Sequence, residues 1–298
     1  MFRKEGESLS ILAIKNLSKS YKKQKVLDDI SLTIDSPGIW ALVGPNGVGK
    51  TTFLNVLTNI LSAYSGSVEL VGKPNKDFRV FKEVAYLQDN TVLFEYLTGY
   101  DHLKYVCEVN KISKARINEV AEYVGMTNYL KKVVGNYSLG MKQHLLLAMA
   151  LVNKPKLLFL DEPLNGLDPT SAILIRKILL ELADKGTTII LSSHNLAEID
   201  RVTKQILFLK DKKILQINMA DHESVSYYLT LMDSEKGKSY LTNNGLLVSE
   251  QNGKLKFELK DHSLSTVIGV LQDHQIEIYD IEKEIIGSEK LYEELFEL

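Results

Sequence analysis

A single cysteine among 298 residues, Cys107, rules out an intramolecular disulfide and the cysteine-rich zinc patterns. This fits a reducing compartment, where the thiol serves as a small buried apolar side chain. Long apolar runs are missing as well. The longest, 145–152, falls far short of the roughly 20 residues a membrane helix needs, and Asn153 and Lys154 end it. A role at a membrane must therefore come through a partner. Residues 1–10 hold no apolar segment of the kind found in secretory signals, so a cytoplasmic location is expected. Nor is there a dense block of Lys and Arg: 36 basic and 38 acidic side chains nearly cancel, which disfavours specific nucleic-acid binding. Internal repeats and low-complexity segments are absent. What is present is an ordinary globular composition, 45 % hydrophobic and 25 % charged, on a chain long enough for one large domain and a smaller one.

Short apolar runs at 11–17 and 30–34 predict strands, and 38–43 predicts a buried strand that runs into a glycine turn. A helix should follow from Lys50 to about Leu61. Further strands are expected at 66–71, 84–87, 157–160 and 187–191, with an amphipathic helix over 171–182. Residues 97–130 carry apolar side chains at helical spacing, which predicts an inserted helical subdomain at about 92–150. Strands alternating with helices predict an α/β fold around a mostly parallel sheet.

Past residue 217 the texture changes. Strands are expected at 225–231, 246–249 and 254–259, a helix at 264–271, a strand at 276–281 and an acidic helix at 289–298. Gln251-Asn252-Gly253 is a hairpin signal between the second and third of these strands. The division is thus a domain of residues 1–217 and a small accessory α/β domain of residues 218–298.

The chemistry begins at Gly44-Pro45-Asn46-Gly47-Val48-Gly49-Lys50-Thr51, with Thr52 next to it. The string fits a phosphate loop, and a buried strand precedes it while a helix follows. Glycines let the backbone turn tightly so that several N–H groups face a phosphate, and the helix N-terminus adds a favourable dipole. Lys50 can neutralise β- and γ-phosphate oxygens, and the Thr51 hydroxyl can ligate Mg2+. ATP with Mg2+ is the ligand this predicts. A second constellation, Asp161-Glu162, ends the apolar strand 157–160 and so should lie at the carboxyl edge of the sheet, where ligands of such folds gather. Asp161 is a candidate Mg2+ ligand, and Glu162 a candidate to orient or deprotonate the attacking water. His194 follows a third strand to the same edge, where its imidazole can donate a hydrogen bond to developing phosphoryl charge.

Four further segments complete a pattern that resembles the nucleotide-binding subunit of ATP-binding cassette transporters over about residues 11–217. Tyr21, followed by Val26 and Leu27, is similar to that family's adenine-stacking aromatic. Gln88 matches the glutamine that touches Mg2+ and senses the membrane partner. Tyr137-Ser138-Leu139-Gly140-Met141-Lys142-Gln143 resembles the family signature, whose serine and glycine, here Ser138 and Gly140, contact the γ-phosphate held by the opposite subunit. The Met141-Lys142 variant resembles the branch that exports antibiotics, bacteriocins and other peptides, and His144 stands where arginine is more usual. Asn165-Gly166-Leu167-Asp168-Pro169 is similar to the loop whose aspartate, Asp168, couples two composite sites. Asp168 is also a natural helix cap, with Pro169 at the first helical position.

The resemblance implies an ATPase whose catalytic sites form between two cassettes, with Lys50, Glu162 and His194 as catalytic residues. Thr51, Gln88 and Asp161 would hold the metal. It further implies an integral membrane permease and a second cassette subunit as partners, with the chain peripheral to the cytoplasmic face of the membrane. Two alternatives stay open: a non-transport cassette ATPase acting on the ribosome or DNA, and a nucleotide-gated immunity or regulatory protein.

Overall fold

The computed structural model describes residues 10–221, 224–259 and 262–296. Residues 1–9 and the last two residues of the expected acidic helix lie outside them. The chain divides into two compact units, one through Asn218 and one from Met219.

In the first unit, β1 (Leu12–Tyr21) and β2 (Gln24–Ile34) form an antiparallel hairpin whose turn passes through Lys22 at φ 53°. Alternation buries Leu12 and Ile14 on one strand and Ile30, Leu32 and Ile34 on the other. β3 (Gly38–Val43) is apolar at successive positions instead, and Ile39 through Val43 are all buried. That pattern is the one a strand needs when it is covered on both faces. The chain continues through α1 (Lys50–Leu57), β4 (Ser65–Leu70), the two-residue β5 (Lys73–Pro74) and β6 (Val84–Leu87). A helical insert follows: α2 (Gly99–Val109), α3 (Ala115–Tyr123) and α4 (Leu139–Leu151). A reciprocal cap opens α2, in which the Thr98 hydroxyl accepts from the Asp101 N–H at 3.1 Å and the Asp101 carboxylate accepts from the Thr98 N–H at 3.0 Å.

The chain then returns to the sheet with β7 (Leu157–Leu160), α5 (Pro169–Asp184), β8 (Thr188–Ser193), α6 (Leu196–Ile199), β9 (Gln205–Lys210) and β10 (Lys213–Asn218). Two sheets result, ordered β2-β1-β4-β5 and β10-β9-β3-β8-β7-β6. The second is parallel except for the β9–β10 pair. Between the sheets lies a core of Leu12, Ile14, Leu17, Trp40, Leu42 and Phe159 joined by Phe53 and Leu54 of α1. The α/β cassette expected from the sequence is the fold observed.

Some element limits differ from expectation for local reasons. The first helix ends at Leu57 rather than Leu61, because Thr58 turns its hydroxyl back onto the Leu54 carbonyl at 2.9 Å and Asn59 takes φ 58°. The fifth helix starts at Pro169 rather than Ser171, because Asp168 caps it. The hairpin of β9 and β10 was not anticipated. It turns on Asp211 and Lys212, both at positive φ without any glycine or proline to mark the turn.

The second unit runs β11 (Ser224–Leu231), α7 (Ser234–Asn243), β12 (Val248–Gln251), β13 (Lys254–Glu258), α8 (Leu264–Asp273), β14 (Ile278–Ile286) and α9 (Ser288–Phe296). Its sheet order, β12-β13-β11-β14, gives an antiparallel βαββαβ unit of the ferredoxin-like kind. Leu229, Leu255 and Phe257 of the sheet pack on Leu241 of α7 and on Val267 and Leu271 of α8. The expected hairpin at Asn252-Gly253 joins β12 to β13. Helix α7 escaped the periodicity reading because its polar sequence SEKGKSYLTN buries only Gly237 and Leu241. Among the described residues no helix is long and apolar enough to cross a membrane.

Candidate active site

Three parallel strands bring the chemistry together. Because β3 and β8 pair with Val43 opposite Ser193, and β7 and β8 with Leu160 opposite Leu191, their carboxyl ends share one edge. At that edge β3 runs into the loop from Gly44 to Thr51. Gly49 closes the loop at φ +116°, a conformation that side-chain-bearing residues rarely adopt, and a Cβ there would lie 2.7 Å from the Val26 side chain. As N-cap of α1, Gly49 supplies no side-chain acceptor to the first turn. The N–H groups of a first helical turn have no intrahelical partner, so those of α1 suit phosphate oxygens. Lys50 is buried and folds over the loop, donating from Nζ to the Gly44 carbonyl at 2.8 Å and the Pro45 carbonyl at 3.3 Å. Burial of a cation against backbone carbonyls leaves it poised for a stronger, anionic acceptor.

Asp161 and Glu162 leave β7 at the same edge. The Thr51 hydroxyl donates to Asp161 Oδ2 at 2.7 Å, and the Ser192 hydroxyl donates to Asp161 Oδ1 at 2.5 Å. Glu162 sits at φ 50°, an uncommon conformation for a residue with a side chain, and its carboxylate lies 3.0 Å from His194 Nδ1 and 3.8 Å from Lys50 Nζ. Phosphate loop, acidic pair and histidine thus form one connected cluster. Behind it, burial raises the Tyr86 phenol above its usual value, and the nearby Asp161 charge adds to that, so Tyr86 stays neutral.

The remaining sequence candidates fall on either side. Tyr21, half exposed at the end of β1, has its hydroxyl 3.5 Å from Thr52 Oγ1 and Lys19 Nζ 5.2 Å from its ring centre. Gln88 follows β6 and donates from Nε2 to Asn55 Oδ1 on α1 at 3.5 Å, one turn beyond Thr51. Ser138 caps α4, accepting from the Met141 N–H at 3.3 Å. Asp168 caps α5 through the N–H groups of Thr170 and Ser171 at 3.0 and 3.1 Å. Its carboxyl is held below the usual range, first by a hydrogen bond from the Ser171 side chain. Gly140 packs so closely here that a Cβ would collide with the Ser171 hydroxyl and lie 3.2 Å from Asp168 Oδ2. Among the described residues, no hydrogen bond or ion pair joins Ser138 or Gly140 to the phosphate loop of the same chain.

The contacts of two residues escaped the sequence reading. Ser192 is fully buried and links the Asp161 carboxylate to the Glu162 backbone N–H; a small polar residue near the end of the apolar strand Thr-Ile-Ile-Leu-Ser-Ser was the available signal. Gln143, also buried, donates to the Pro163 carbonyl at 3.0 Å. Only folding shows that a residue on α4 reaches the turn after Glu162.

This fold and edge define a phosphate-loop ATPase cassette. The sequence pattern of the family described as ABC transporter matches residues 27–165. The chain is 38 % identical over 205 residues to the lantibiotic transport ATP-binding protein SrtF of Streptococcus pyogenes, covering 69 % of this chain and 89 % of SrtF. It is 30 % identical over 280 residues to the bacitracin transport ATP-binding protein BcrA of Enterococcus faecalis, covering 92 % and 86 %. A solved structure titled "Structure of ATP binding subunit of ABC transporter" superposes with a TM-score of 0.65 at 28 % identity, covering 71 % of this chain and 91 % of that one. The chain belongs to the ABC transporter family as an ATP-binding, ATP-hydrolysing protein.

Proposed function

We propose that this chain is the motor subunit of an exporter, in which two cassettes close over Mg2+-ATP and drive an integral membrane permease that moves antimicrobial or amphipathic peptides. The observation that carries the reading is the cluster at the sheet edge, where Glu162 stands between His194 at 3.0 Å and Lys50 at 3.8 Å. The amides of α1 and the Lys50 ammonium would grip the β- and γ-phosphates, with Tyr21 beside the base. Thr51 and Asp161, with Gln88 nearby, would hold Mg2+, which would supply neutralisation of the negative charge of the β- and γ-phosphates. Glu162 takes the proton of the attacking water, and His194 orients Glu162 and donates to the phosphoryl oxygens.

Ser138 and Gly140 head α4, whose N-terminus suits an anion held by a second cassette, and Asp168 lies beside Gly140 to report that contact. One chain alone is therefore a slow enzyme. The expected station is the cytoplasmic face of the membrane, reached through the permease, with no nucleic acid involved. A peptide cargo is supported by the names of SrtF and BcrA, and BcrA aligns over 92 % of this chain, which takes in most of the second unit.

The test is Glu162→Gln. This variant should bind ATP but accumulate as an ATP-dependent dimer in size-exclusion chromatography with light scattering, with turnover lowered by about a hundredfold or more. Undiminished steady-state turnover overturns the role given to Glu162. Cargo is tested by reconstituting the membrane protein that co-purifies and measuring peptide-stimulated ATPase. Stimulation by drugs or lipids and not by peptides overturns the peptide reading.

A further inference from the structure

The hydroxyl of Ser192 touches both members of the acidic pair. On β8 it sits between β3, where it pairs with Leu42, and β7, whose last rung sets Leu160 against Leu191. The next step along each chain brings Asp161 alongside Ser192. The side chain is completely buried. It donates to Asp161 Oδ1 at 2.5 Å, and it accepts from the Glu162 backbone N–H at 2.9 Å. The direction of both bonds is fixed by chemistry. A backbone N–H can only donate, so Ser192 accepts there, and its single proton is left for Asp161.

Two consequences follow. Asp161 receives hydroxyl protons on both oxygens, from Ser192 and from Thr51, which fixes the plane of its carboxylate and keeps the Thr51 oxygen lone pairs turned away from it. The N–H of Glu162 is pinned at the residue whose φ of 50° departs from the common regions, so Ser192 holds the turn that aims Glu162 at His194.

We infer that Ser192 is a positioning residue that sets the metal-binding geometry of Asp161 and the aim of Glu162 at once. The inference rests on the Mg2+-ATP reading of this site. Residues that orient metal ligands change metal affinity or activity by about 10- to 100-fold when removed.

The test compares wild type, Ser192→Ala and Ser192→Cys in binding a fluorescent, non-hydrolysable ATP analogue, first without Mg2+ and then across a Mg2+ titration. Thermal unfolding reports which variants fold. Wild type should show a Mg2+-dependent gain in affinity. Ser192→Ala should match it without Mg2+, to within about twofold, and need about tenfold more Mg2+ for half-saturation. Ser192→Cys, similar in size but a weak donor, should shift in the same direction by less. A folded variant with the wild-type Mg2+ requirement overturns the inference, as does an equal loss of affinity with and without Mg2+. A wild type that shows no Mg2+-dependent binding sinks the reading of the site itself, which separates the two failures.

Discussion

Gln143 on α4 donates from Nε2 to the backbone carbonyl of Pro163, 3.0 Å away and buried, which ties the helix headed by Ser138 to the turn that carries Glu162. A buried carbonyl that loses its donor costs about 1–3 kcal/mol, so this bond resists separation of the two segments. It links the exposed N-terminal end of α4 to the turn that positions the Glu162 carboxylate.

The first prediction follows from that bond. Gln143→Leu keeps the volume but removes the donor, and ATP affinity should stay within about twofold while turnover falls about tenfold through misplacement of Glu162. Parallel binding and steady-state ATPase measurements check this. A fall in affinity equal to the fall in turnover would show that Gln143 supports folding of the whole site instead.

Lys50 is the next test. Its ammonium already holds two loop carbonyls, and Lys50→Ala removes the charge without touching the glycines. Charge-assisted bonds of this kind are worth about 1.5–3 kcal/mol, so nucleotide affinity should drop about 10- to 100-fold. Isothermal titration with ATP reads the loss, and a fold that survives by circular dichroism assigns it to the side chain.

His144 sets a pH dependence. Burial holds its imidazole below the ordinary value of 6.5, only partly offset by the charge of Asp168. The folded state therefore takes up its proton at lower pH than the unfolded chain does. Stability from the neutral ring is full above about pH 6.5 and is lost as pH falls toward the depressed folded value. The Tyr129 hydroxyl, 2.7 Å from Nδ1, serves a neutral ring well, and Tyr129 is itself held neutral by burial. His144→Gln should be less stable at pH 7.5 and should flatten the urea midpoint between pH 5 and 6.5 relative to wild type. Equal slopes for the two proteins would contradict it.

In the second unit, Phe257 is 2 % exposed and stacks on Tyr227 with ring centres 5.8 Å apart. Phe257→Ala should cost that core about 3–5 kcal/mol. Among the described residues its hydrophobic cluster shares none with the cluster that holds Phe53 and Leu54 of α1, so ATP affinity should be unchanged. Chemical denaturation and nucleotide titration of the same sample test both halves of the statement.

Legibility differed from residue to residue. The strands at 38–43, 84–87 and 157–160 could be read to the residue because each is a short apolar run whose neighbours break it. The phosphate loop could be read because its function needs glycines, a lysine and a hydroxyl at fixed spacing within one turn of chain. Helix α7 and the β9–β10 hairpin could not: one is polar on most of its surface, and the other turns on Asp211 and Lys212, which carry no turn signature.

By itself the sequence determined the α/β class, the glycine loop between β3 and α1 and the carboxylates at the end of β7, because those depend on backbone conformation and residue type over a few consecutive positions. Only the tertiary structure decided that Ser192 joins Asp161 to Glu162 and that Gln143 reaches Pro163. Those bonds span 31, 30 and 20 residues of chain, and which partner a buried polar group finds over such a distance is set by strand register and helix packing rather than by its neighbours in sequence.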